Sequence, residues 1–546
     1  MDRRTLLALV LSAIVIIITP RIFRPNVAPV DSTAVGATAD SAAQPAPPVA
    51  IPAAHTPTPP PAPELASQPD TVRTGSAAVV FSSPGASVAT IKLLGYADLS
   101  PRHAGSVTLA EPSAPLLRFR LVEGNDTLPL SRVAMTARRD STGVTYEANS
   151  PSMTIEYRVG TGGYVTRVRG SVAHTTPGDQ LLIDLPGDLR SDEADSVDDR
   201  RHFAYGYKRR DDDVTSIAFT KLDSTVVRTD SGPLEWVSVR DKYFLIALIA
   251  SDSQTFKALR MQGGHRPMRG IATASATAVL PLKAGSFAFE LYAGPQSWTE
   301  LRGLGHELEN VNPYSGFSIL RPIVQPVTTI VMRLLLWMKS TLHTSYGWVL
   351  ILFGISIRLL LWPLNQSAMR ASLKMQRLQP ELAEVQRRYA NDADGQRTAM
   401  MKLYQDHGMS PLSPLMGCLP MLLPMPVLLA LYWVFQNTIQ FRGVSFLWLP
   451  DLSLRDPYYI TPLVMGASMF LLSWIGLRAA PPAPQAKIMS YMMPVMFTVL
   501  FMNFASGLNL YYGVQNLTAI PQQWLITRER ARAGIRAGGP VKRPAG

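Results

Sequence analysis

The chain has 546 residues, a formal balance of +12, 17% charged residues and 47% hydrophobic ones; soluble domains carry roughly 25% charge, so this composition points to a membrane protein. The 52 basic residues are too dilute over that length for a nucleic-acid binder. One cysteine, Cys418, excludes disulfides within the chain and any cysteine-built zinc site.

Residues 1–24 open with Asp2, Arg3 and Arg4 and run apolar from Leu6 to Ile18. No small-x-small site follows, since Thr19, Pro20, Arg21, Ile22 and Phe23 come next. The segment therefore reads as an uncleaved transmembrane signal anchor rather than a cleaved signal peptide, with its N-terminus in the cytoplasm. Residues 25–70 hold 12 prolines and no Lys or Arg. They predict a disordered, semi-extended linker.

Residues 71–313 contain short β-branched and apolar runs: Ala78 to Phe81, Val88 to Leu94, Leu116 to Val122, Thr154 to Val159, Tyr164 to Val172, Val214 to Phe219, Tyr243 to Ala250 and Phe287 to Tyr292. In Leu117, Arg118, Phe119, Arg120, Leu121 the alternation is strict, as in a strand with one buried face. An all-β sandwich is predicted. Asp192, Glu193, Asp195, Asp198, Asp199 and Asp211 to Asp213 read as solvated turns rather than a metal site.

Residues 314–345 include Phe317 to Leu342, with Arg321, Gln325, Thr328, Thr329, Lys339 and Ser340 on one side. That pattern predicts an amphipathic helix lying along the membrane interface. Five apolar stretches follow within residues 346–527: Tyr346 to Leu364, Leu415 to Gln436, Tyr458 to Leu477, Ile488 to Asn503 and Gly507 to Trp524. All but the short fourth approach the ~20 residues a bilayer core requires. Between the first two, residues 365–410 carry Arg370, Lys374, Arg377, Arg387, Arg388, Arg397 and Lys402 and break at Asn391 to Gly395, as in a cytoplasmic helical hairpin. The loop Asn437 to Pro457 carries only Arg442 and Arg455, whereas the tail 528–546 is basic. Basic and poor loops alternate, so both ends fall inside and the β domain outside. The expected fold is a polytopic α-helical membrane protein with six transmembrane helices, five of them forming a core, and an all-β extracytoplasmic sandwich domain.

Within the five downstream spans there is no Asp, Glu, Lys or His and a single charge, Arg358. Proton relays need an intramembrane carboxylate or histidine, and an intramembrane serine hydrolase needs a base. No phosphate loop G-x-x-x-x-G-K-[ST] occurs either. The chain does not read as an enzyme, and no cofactor or metal is implied. Arg358, at a depth costing at least ~2.5 kcal/mol if lipid-facing, either snorkels to the headgroups or lines a wet cavity. Asn509, Tyr512 and Asn516 form one stripe on the last span, and Ser356, Gln436, Thr498 and Asn503 add polar groups on the others. Such groups serve equally as interhelical glue. An arginine without an acid partner favours the cavity.

Several runs together resemble the bacterial YidC membrane protein insertase family, of the Gram-negative type with a large periplasmic domain. They are Gly232 to Trp236, Lys242 to Phe244, Tyr292 to Pro295, Ile357 to Leu364, Asp451 to Ser453 with Asp456 to Tyr459, and Ser506 to Tyr512 with Asn516. The resemblance implies an inner-membrane insertase and chaperone for integral membrane proteins. In it, a hydrophilic groove open to cytoplasm and lipid takes in the polar tail of a nascent membrane protein while the apolar segment slides into lipid along the third and fifth spans. Arg358 would be the groove cation, Tyr511 and Tyr512 the family's tyrosine pair, and Asn509, Asn516 and Ser356 further groove groups. The SecYEG translocon and SecDF are implied as partners, with the hairpin and basic tail open to a ribosome or targeting factors. Two departures stand out: Gly354, where a threonine is expected one turn before the arginine, and Pro424, where glutamine is often found. The competing readings are a Sec-dependent assembly chaperone without insertase activity of its own, and a small-anion or lipid transporter.

Overall fold

The computed structural model describes residues 69–101, 104–110, 115–251, 254–264, 272–312, 321–363, 366, 378, 381–390, 392–407, 425–477 and 484–532. The expected anchor, nearly all of the linker, residues 365 and 367–377 of the expected hairpin, the start of the second downstream span with Pro424, and residues 533–546 of the tail lie outside that set. The chain divides into two compact units after Gly294.

The first unit is an all-β sandwich. A four-stranded antiparallel sheet, Pro69–Arg73, Ala77–Ser82, Ser87–Ala97 and Ser106–Thr108 in that order, accompanies a fourteen-stranded one. All eight segments read from the sequence coincide with strands. Alternation of apolar and polar residues decides which face turns inward, as in Arg118–Glu123, where Phe119 and Leu121 are buried and Arg118 is exposed. Phe244–Ala250 is instead apolar throughout and almost wholly buried. It pairs with the long strand Arg228–Arg240 across a turn in which the Asp241 carboxylate accepts from the amides of Tyr243 (2.7 Å) and Phe244 (2.6 Å). The small sheet meets the large one through aromatics: the Phe81 and Tyr157 rings lie 4.6 Å apart, the Tyr157 hydroxyl donates to the Ala86 carbonyl, and that of Tyr146 to Asp70 (2.8 Å).

The acidic run corrects the expectation of solvated turns. Asp211 to Asp213 are exposed, but Asp192, Glu193 and Asp199 are buried. Asp192 accepts from the Thr108 amide (2.6 Å) beside Arg190, which also holds Asp98 (2.6 Å). The short helix α1 (Ser196–Arg201) presents Asp198 to the Lys242 ammonium (2.8 Å) and Asp199 to the Lys242 amide (3.1 Å). Burial pulls Lys242 down, but neighbouring Tyr243 and Asp198 outweigh it and raise it. Asp198 and Asp199 therefore hold Lys242, at the start of the run Lys242 to Phe244. Among the described residues no group of three His, Cys, Asp or Glu is placed to hold a metal ion.

The second unit is helical: α2 (Trp298–Leu304), α3 (Arg321–Leu342), α4 (Tyr346–Leu360), α5 (Ala393–Asp406), α6 (Met425–Asn437), α7 (Ile460–Leu477), α8 (Pro484–Phe501) and α9 (Ser506–Arg532). Helix α3 turns through 119° into α4. The α5 N-terminus is capped by Asp392, which accepts from the Gly395 amide (2.9 Å), at the break the charge pattern marked. His407 after α5 lies 3.7 Å from Glu381 in the preceding helical residues 381–388. Helix α3 packs on α6, α4 on α9, and α7 on both α8 and α9. Their shared core includes Leu335, Phe353, Leu431, Phe435, Leu452 and Leu508. Helix α7 is long and apolar enough to cross a membrane, with a mean hydropathy of 1.7 over its 18 residues. Helix α4 (Tyr346–Leu360) ends before the apolar run Tyr346 to Leu364 does, whereas α8, at 18 residues, begins before the run Ile488 to Asn503.

Candidate functional site

A cavity of about 570 Å³ lies among α4, α7, α8 and α9. Arg358 comes from α4, Ser473 and Gly476 from α7, Ser490 from α8, and Tyr511, Tyr512, Gln515, Asn516 and Gln523 from α9. Among the described residues, Arg358 is the one charged side chain of this lining. Four of the six residues singled out in the sequence, Arg358, Tyr511, Tyr512 and Asn516, therefore line one cavity.

Helix α9 supplies most of the polarity because its polar residues recur at three- and four-residue steps. Tyr511 and Tyr512 stand edge to face at 5.5 Å, braced by Phe353 (5.8 Å from Tyr511) and Phe501 (5.3 Å from Tyr512). The Asn516 amide donates to the Met465 carbonyl of α7 (3.3 Å). Gln515 donates to the Gly354 carbonyl (2.8 Å) and to the Tyr511 hydroxyl (3.1 Å), joining α9 to α4. Gly354 makes that approach possible: a Cβ there would lie 3.1 Å from Val514. The departure noted at position 354 thus leaves no side-chain hydroxyl there, while the backbone carbonyl accepts from Gln515.

Arg358 donates from Nη2 to Oε1 of Gln522 (2.7 Å). Gln522 is buried, and its Nε2 lies 3.5 Å from the Trp362 carbonyl just past α4. Arg358 Nε has no hydrogen-bond partner among the described residues, and none of their carboxylates pairs with this guanidinium.

Asn509 and Ser356 sit elsewhere. Asn509 is fully buried and donates to the Phe501 carbonyl (3.0 Å), closing the end of α8. Ser356 is exposed, two residues from Arg358 and so on the far side of α4. Gln515, Gln522 and Gln523 carry no charge and no rare chemistry, so nothing in the sequence separates them from surface glutamines except their spacing with Tyr511 and Tyr512.

The loop between α6 and α7 is stitched to the start of α9. Asp451 accepts from the Gly443 amide (2.9 Å) and from the Ser453 amide and hydroxyl (2.7 Å each), while its carbonyl accepts from the Ser506 hydroxyl (3.0 Å). Asp456 accepts from the Thr461 amide (2.7 Å) and hydroxyl (3.0 Å), the Tyr458 amide (2.9 Å) and the Trp448 indole (3.3 Å). Burial pushes the Asp456 carboxyl up, but these donors outweigh it and hold it below the usual range. Two of the runs that carry the resemblance, 451–459 and 506–512, are thereby one structure.

Residues 71–327 match the family model described as the YidC periplasmic domain, and residues 337–533 that of the 60Kd inner membrane protein. A membrane protein insertase YidC of Methylococcus capsulatus is 32% identical over 466 residues, covering 82% of this chain and 78% of the relative. The chain belongs to the YidC membrane protein insertase family. Another YidC insertase, from Geobacter metallireducens, is 29% identical over 572 residues, 98% of this chain and 99% of the relative. A solved structure of an active YidC insertase with its first transmembrane domain resolved covers 84% of this chain at 16% identity, with a TM-score of 0.33. In this member of an inner-membrane family the periplasmic domain is the β-sandwich and the remaining part is helical.

Proposed function

We propose that this protein inserts and folds integral membrane proteins in the inner membrane, using the cavity around Arg358 as the entry for their polar tails. The observation that carries the reading is a solitary cation whose partner is neutral, in a polar cavity among apolar helices. A charge so placed attracts acidic or strongly polar segments and lowers the cost of moving them through hydrocarbon. Burial of the client's apolar span in lipid supplies the drive, so no nucleotide is needed.

Membrane placement of these helices is supported by their outer surfaces. Helix α7 exposes Leu463, Val464, Phe470 and Leu471. Trp348, Trp448, Tyr458 and Tyr459 are exposed near one end of the helices, and Trp474 and Trp524 near the other, as in two interfacial belts. Arg528 stacks on Trp524 at 3.9 Å beside the basic tail. The 119° turn between α3 and α4 suits an interfacial helix leading into a span. Six spans with both termini cytoplasmic complete the reading, and cooperation with SecYEG, SecDF and a ribosome extends it.

The test is insertion into liposomes holding only the purified full chain, with a small single-span client and protease protection of its acidic tail. Protection above empty liposomes without ATP is expected. Arg358→Ala should reduce it about tenfold and Arg358→Lys largely preserve it, since removal of a charge-assisted contact is worth ~1.5–3 kcal/mol. Equal protection by all three proteins would refute use of the charge. No protection by folded protein would favour the Sec-dependent chaperone reading.

A further inference from the structure

We propose that Gln522 is a positioning residue that fixes the Arg358 guanidinium while leaving its charge uncompensated, and so sets the preference for acidic client tails. This rests on the insertion reading and adds to it a second residue with a distinct role. Three observations meet here. Gln522 is buried, with 2% of its surface exposed. Its carbonyl oxygen takes one guanidinium N–H at 2.7 Å, and its amide reaches the Trp362 carbonyl at 3.5 Å. The arginine retains an unmatched donor at Nε, among the described residues.

An amide and a carboxylate are nearly the same size but act oppositely on a neighbouring cation. A carboxylate at this position would fix the guanidinium more strongly and cancel its field in the cavity. An apolar side chain would leave the field and release the group, which is long enough to snorkel away. Only a neutral acceptor holds the cation still and keeps it bare. The contact to Trp362 keeps the glutamine from turning its N–H groups toward the arginine, because that amide already has an acceptor.

The measurement is the protection ratio of two clients in liposomes with the full chain, one with an acidic tail and one whose tail carries Asn and Gln in place of Asp and Glu. Wild type is expected to favour the acidic tail. Gln522→Glu should lower the ratio about tenfold, equivalent to ~1.4 kcal/mol, while the neutral tail is protected as before. Gln522→Met, of similar volume but without the acceptor, should lower it less, and should have no further effect on the ratio in an Arg358→Ala background. An unchanged ratio in Gln522→Glu overturns the assignment alone, as does an equal fall for both clients, which is what a merely structural glutamine predicts. Protection of neither tail by wild type would remove the insertion reading and this assignment with it.

Discussion

Asp192 is buried and Arg358 half-buried, and the two charges are handled in opposite ways. In the β-sandwich burial pushes the Asp192 carboxyl up to about 7, the Thr108 amide and Arg190 opposing it and the nearby Asp98 reinforcing it. Asp98 is held below its ordinary value: burial raises it, but Ser100, Asp192 and Arg190 prevail. Between the ordinary carboxylate range and about pH 7 the pair therefore holds one proton. Because the folded state keeps the Asp192 proton to about pH 7 and the unfolded chain sheds it near 3.8, the folded state binds more protons between those values. Stability from this group is thus full below about pH 4 and is lost as pH rises toward 7. In Asp192→Asn the neutral form persists throughout. Hydrogen-exchange protection of the Thr108 amide, taken as wild type minus variant in the full chain, should fall between pH 4 and 7 and level off above. A difference that stays flat or grows across that window would show that Asp192 is ionised when folded.

At the scale of elements, glycines decide which helices can touch. A Cβ on Gly466 of α7 would lie 1.8 Å from the Thr498 hydroxyl of α8, which donates to the Pro494 carbonyl at 2.7 Å. Gly466→Leu must therefore separate α7 from α8, at a cost of about 1–3 kcal/mol for overpacking. The same change in Gly513 of α9 meets nothing within 4 Å, and Gly513→Ala should stabilise the helix by about 0.5–1 kcal/mol. Thermal unfolding of the detergent-solubilised protein should move down for the first and up or not at all for the second. Similar shifts in both would mean that helix propensity, not the α7–α8 contact, dominates. The α6–α7 loop contributes by a different device, polar rather than steric, since Asp451 and Asp456 satisfy the backbone donors of the loop and of the α7 N-terminus.

For the whole molecule, the proposed six-span topology makes an accessibility prediction. The chain has a single cysteine, so a Cys418→Ser background accepts new ones cleanly. Trp448→Cys, at an exposed position of the loop before α7, should react with an impermeant maleimide from the periplasmic side of intact cells. Arg388→Cys, exposed near the hairpin break, should react only after the cytoplasmic side is opened. The reverse pattern, or labelling of both from one side, would overturn the count. The β-sandwich was legible where strands are apolar in their own right, as in Tyr243 to Ala250. Strands such as Ala274–Pro281, built of small residues, and Ala204–Arg209 were not, because pairing with Phe256–Gly263 and Arg228–Arg240 rather than local hydrophobicity makes them strands.

The sequence by itself determined what burial and charge alone can determine: an apolar helical part, an alternating β part, the alternation of basic and charge-poor segments, and one arginine with no acid beside it in the apolar stretches. Those properties belong to single residues and their periodicity, and they survive without neighbours. Tertiary structure decided what depends on which residue lies opposite which. It put Asn509 under the end of α8 and Asn516 against α7, although both stand on the same stripe. It buried three acids of a run that looked solvated. It gave Arg358 a neutral partner 164 positions away, a choice no local pattern can carry, because a glutamine becomes a ligand for a cation only when packing brings the two within hydrogen-bond distance.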